Sequence, residues 1–108
     1  MKQANAVMVL VTVPGHAEAD SIASILLEGR KAACVNIIPG VSSRFWWKGK
    51  IDSSEEVLLL IKTRSSAVPE IIELVKKNHS YTVPEIIALP VIGGSDDYLS
   101  WIDAEVRE

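Results

Sequence analysis

Three stretches of this 108-residue chain, VMVLVTV at 7–13, VLLLI at 57–61 and IIAL at 86–89, are almost unbroken apolar runs rich in β-branched residues. A strand with one wet face alternates apolar and polar side chains, so such runs mark strands covered on both sides. Only two long stretches of helical spacing accompany them, and two crossover helices cover one face of a sheet. The other face needs a cover that a short third helix is too small to supply. Further copies of the same chain are the economical source.

The elements follow in order. Residues 5–13 read as a strand ended by Pro14-Gly15. Ala17 to Glu28 sets Ala19, Ile22, Ala23, Ile25 and Leu26 at helical spacing, with acids in the first turn and Gly29 at the stop. A second strand spans 32–38, is interrupted at Pro39-Gly40 and stays extended through Trp47, after which Lys48-Gly49 suits a tight hairpin turn. The third strand runs from Lys50 to about Lys62. A second helix follows, with Ser66 as its N-cap and Lys76-Lys77 at its negative end. Residues 85–92 give a fourth strand. Ser95-Asp96-Asp97 starts a short helix carrying Tyr98, Trp101 and Ile102 along one stripe. The sum is βαββαβ with a trailing helix, an α+β, ferredoxin-like split βαβ domain with an antiparallel sheet. The length suits one domain over 1–108.

A 13-residue third strand extends about 40 Å, whereas a 12-residue helix covers about 18 Å, so the distal hairpin must overhang the body. There Phe45, Trp46 and Trp47 stand among serines and charges. Side chains alternate along a strand, so Trp46 and Trp47 point to opposite sides of the ribbon. All three aromatics are candidate contacts between copies of the chain.

A net charge of −3 argues against a surface that tracks nucleic-acid phosphates, and no apolar stretch reaches the length of a membrane span. Lys2, the run at 6–13 and Ala17-Glu18-Ala19 loosely mimic a secretion leader, but Pro14-Gly15 makes strand and turn the better reading. Cys34 is the only cysteine, which excludes an intramolecular disulfide and suits the cytoplasm. No G-x-S-x-G, H-E-x-x-H, Walker or G-x-G-x-x-G motif is present, and the chain reads as non-enzymatic.

The segments AACVNIIPGVSSRFWWKGKID, EEVLLLIKT, HSYTVPEIIALPV and DYLSWI, long and collinear, resemble the CutA family of divalent-cation tolerance proteins. That resemblance implies a homotrimer of PII-like architecture, with clefts between subunits for small effectors, and weak binding of copper or another divalent cation that folding does not require. Copper ligands proposed in that family are a cysteine in the first strand and two histidines before Y-x-x-P-E. The corresponding positions here hold Val11 and Asn78-His79. His79 and Cys34 are thus the metal candidates, against plainer roles as a helix-end residue and an inert, buried thiol; Met1, Met8 and His16 do not cluster with them. For the inter-subunit cleft the candidates are Trp47, Lys62, Tyr81, Glu85 and Tyr98. Lys62 is the natural counter-charge to Glu85, and the site would take a small anion or a metal chelate.

Overall fold

The computed structural model describes residues 5–107; Met1 and Lys2 lie outside them. The order is β1 (Ala6–Val13), α1 (His16–Glu28), β2 (Cys34–Trp47), β3 (Lys50–Arg64), α2 (Val68–Asn78), β4 (Ile86–Pro90) and α3 (Asp96–Glu105). The four strands form one antiparallel sheet in the order β2-β3-β1-β4. This is the α+β arrangement expected from the sequence.

Each face of the sheet follows from alternation. Val9, Val11 and Val13 on β1 and Val57, Leu59 and Ile61 on β3 point to the helical side, where they meet Ile22 and Leu26 of α1 and Ile71 and Val75 of α2. All of these are essentially withdrawn from water. Their neighbours point to the other face, where Met8 stands opposite Lys62 and Leu89, and Leu10 opposite Leu60 and Ile87. Helix α3 covers only one end of that face. Its Leu99 and Ile102 pack with Ala6, and its Asp103 takes an ion pair from Arg64 at 3.3 Å. Beyond it Ile87 and Leu89 remain 50% and 45% exposed, so one chain leaves part of its apolar sheet bare.

Several boundaries move. Pro39-Gly40 does not break β2: Gly40, at φ +76°, absorbs an irregularity between Ile38 and Val41, and the strand runs on to Trp47. At the hairpin tip both Lys48 (φ 51°) and Gly49 (φ 79°) are left-handed, the conformation of a two-residue turn that matches strand twist. Ser66 does not cap α2. It lies in a 3-10 turn, Ser65–Ala67, and the N-cap position of α2 is held by Ala67, which has no side-chain group to cap with. Ser95 does cap α3, its oxygen accepting from the Tyr98 N–H. Strand β3 reaches Arg64, about 46 Å at 3.3 Å per step, and the ribbon overhangs in a molecule 45 Å long and 23–26 Å across.

Candidate functional site

The chain after α2 turns back beneath the sheet, and His79 fastens the turn. Its ring is fully buried; Nε2 lies 2.7 Å from the Thr12 carbonyl oxygen, and Nδ1 accepts the Tyr81 N–H at 3.1 Å. Nε2 must therefore carry the hydrogen. Glu18 of α1 completes the bracket, accepting the Ser80 N–H at 2.8 Å and lying 3.2 Å from Nδ1. The turn so held sets Tyr81 against the His79 ring, with centroids 4.8 Å apart.

From there the Tyr81 hydroxyl donates to Glu56 Oε2 at 2.9 Å. Glu56 belongs to β3, and the register places it on the same face as its opposite Val41 and as the pairs Ser43–Ser54, Phe45–Asp52 and Trp47–Lys50. This inner face of the hairpin and the 81–85 segment enclose an open cleft of about 770 Å³. Phe45, Trp47, Asp52 and Glu56 line one side of it, Tyr81 and Glu85 the other. Burial raises the Glu85 carboxyl above its ordinary value, and the Glu56 charge adds to the effect. Burial likewise raises the Tyr81 phenol; a hydrogen bond with Ser54 opposes the shift and Glu56 reinforces it.

Trp47, Tyr81 and Glu85 thus meet in one cleft, whereas Lys62 and Tyr98 lie at the far end of the same chain. Lys62 Nζ donates to Asn36 Oδ1 at 2.6 Å and sits 5.8 Å from the centroid of the Tyr98 ring. Glu85 precedes Ile86, which pairs with Val11, while Lys62 pairs with Met8. Three to four residues of strand, about 10–13 Å, separate the two levels, so Glu85 faces Glu56 rather than Lys62 within one chain. Trp46 lies on the outer face with Ile51, 71% exposed, beside a shallow hollow of about 300 Å³ that also touches Arg44.

A resident copper centre does not fit the donors present. Cys34 lies opposite Lys62, on edge strand β2, and is half-buried rather than buried. His79 belongs to the opposite end and has both ring nitrogens engaged, and Val11 is apolar and buried. Among the described residues no three His, Cys, Asp or Glu side chains converge on a metal position, and no helix is long and apolar enough to cross a membrane.

Sequence reasoning missed Glu56, Thr12 and Glu18 as parts of this region. Counting outward from Lys48-Gly49 would have set Glu56 on the face of Phe45 and Trp47. The contacts of Thr12 and Glu18 with the 79–81 turn have no local signal.

The family model of the CutA1 divalent ion tolerance protein matches residues 7–105. The chain is 46% identical over 102 residues to protein CutA 1, chloroplastic, of Oryza sativa, covering 94% of this chain and 58% of that one. It is 50% identical over 95 residues to the divalent-cation tolerance protein CutA of Thermus thermophilus, covering 88% and 92%. The solved structure of the periplasmic divalent cation tolerance protein CutA from Archaeoglobus fulgidus superposes with a TM-score of 0.91 at 44% identity, covering 94% of this chain and 99% of that one. This chain therefore spans under two thirds of the plant relative but nearly all of the prokaryotic ones.

Proposed function

Because the chain belongs to the CutA1 divalent ion tolerance family, we propose that it serves divalent-cation tolerance as a non-enzymatic homotrimer whose cleft receives a small effector between subunits. The observation that carries this reading is where the cleft lies. It opens at the root of the overhanging hairpin, on the same sheet face as the half-buried Leu10 and the bare Ile87 and Leu89. A copy that covers this stripe also walls the cleft, so effector binding and subunit contact share one surface, and the hairpin is the element that moves. Phe45 and Trp46 supply further contacts between neighbouring copies.

Copper or another divalent cation enters this reading as a passing ion, weakly held and dispensable for folding. The lone, half-buried Cys34 suits a reducing cytoplasm. Sedimentation at micromolar concentration is expected to return three times the 11.8 kDa chain mass. Limited proteolysis of the hairpin in a panel of metabolites and metals is expected to show protection by one member. A stable monomer of 11.8 kDa, or a hairpin indifferent to the whole panel, refutes the proposal.

A further inference from the structure

The cleft holds a buried carboxylate that no cation among the described residues pairs with. Glu56 is only 6% exposed, yet its one hydrogen-bond partner among the described residues is a neutral phenol, that of Tyr81, and no cation pairs with it there. Removing a carboxylate from water without a counter-charge is costly, and such groups are ordinarily found paired. Two further carboxylates, Asp52 and Glu85, line the same space. Partial desolvation, and then the nearby Glu56 charge, already hold the Glu85 carboxyl above its ordinary value, although the residue is exposed. Arg44 reaches the rim, but alternation puts its side chain on the outer face of the ribbon with Trp46.

The rest of the lining defines what kind of cation fits. Phe45 and Trp47, 39% and 41% exposed, offer aromatic surface on the side that carries Glu56, and Tyr81 stands across from them. Aromatic faces attract organic cations. A hard metal ion instead gathers about six oxygens, usually with several carboxylates converging on one point, and among the described residues no three His, Cys, Asp or Glu side chains converge so. The volume, about 770 Å³, suits a molecule of metabolite size. We propose that the cleft binds an organic ammonium ion, a protonated amine whose charge meets Glu56 and Glu85 and whose apolar body lies against Phe45, Trp47 and Tyr81. This assignment rests on the reading of the cleft as an effector site and reverses the charge that an anion-binding cleft would require.

The test uses the assembled protein and three probes of one shape, benzylamine, benzyl alcohol and benzoate, titrated by calorimetry and by chemical-shift changes of the Trp47 indole. Benzylamine, charged at neutral pH, is expected to bind at least ten-fold more tightly than benzyl alcohol, with benzoate weakest. Glu56→Gln and Glu85→Gln should each weaken benzylamine at least five-fold while leaving benzyl alcohol unchanged. Trp47→Leu should weaken both. Equal or tighter binding of benzoate overturns the charge assignment but keeps the cleft as a ligand site. Silence from all three probes overturns both. Intermolecular contacts from a neighbouring subunit's lysine or arginine to Glu56 also overturn the inference, because the missing cation would then come from the protein.

Discussion

Replacing His79 with alanine separates a structural histidine from a metal ligand. The imidazole is fully buried and holds two backbone groups, the Thr12 carbonyl and the Tyr81 N–H. Each hydrogen bond is worth about 0.5–1.5 kcal/mol, and a buried group left unpaired costs about 1–3 kcal/mol. Allowing for water entering the space left by the ring, His79→Ala should destabilise the fold by about 3 kcal/mol. With a urea slope near 1.5 kcal/mol per M, a value within the range of small domains, the midpoint should fall by about 2 M. Unfolding must be compared at one protein concentration, because association adds to apparent stability. A histidine on the surface would cost within about 0.5 kcal/mol. A His79→Ala midpoint within 0.3 M of the parent refutes the bracket, and loss of copper binding without loss of stability would restore His79 as a ligand.

Other consequences can be checked with single substitutions. Leu59→Ala, at a fully buried site under α1 and α2, should cost about 2–5 kcal/mol in urea unfolding. Glu85 has its folded pKa raised above its ordinary value of 4.5, so its contribution is favourable at pH below 4.5 and is lost as pH rises through the raised value. Glu85→Gln should therefore melt higher than the parent at pH 7, with the difference vanishing below pH 4.5; a lower melting temperature at pH 7 contradicts this. Ile87→Asp places a charge in the bare stripe, and sedimentation should show smaller species with the monomer's circular dichroism retained.

The sequence revealed most clearly what repeats along it. Unbroken apolar runs gave strands β1, β3 and β4, of which β4 stays largely exposed in the single chain, helical spacing gave Ile22, Leu26, Ile71 and Val75, and alternation put Trp46 and Trp47 on opposite sides of the ribbon. Features that depend on distant contacts were hidden. His79 read as a residue suited to a helix end, but its surroundings are set by Thr12, which is 67 residues away, and by Glu18. Glu56 read as one polar residue in a polar stretch, because its hydrogen-bond partner Tyr81 lies 25 residues further along the chain. Lys62 and Glu85 were matched by charge, and only the strand register shows that they stand at different levels of the sheet. Ser66 had the right chemistry for a cap but lies one residue ahead of the N-cap position, which Ala67 occupies.

The irregularity between Ile38 and Val41 acts like a frameshift in the ribbon. Before it, even-numbered residues of β2 face even-numbered residues of β3; after it, odd-numbered residues take their place. Pairing Pro39 and Gly40 regularly, with neither left over, would keep the original phase through the hairpin and bring Arg44 and Trp46 inward in place of Phe45 and Trp47. The cavity would then present a guanidinium where it now presents a benzene ring, so a single backbone insertion decides which sign of guest this architecture welcomes.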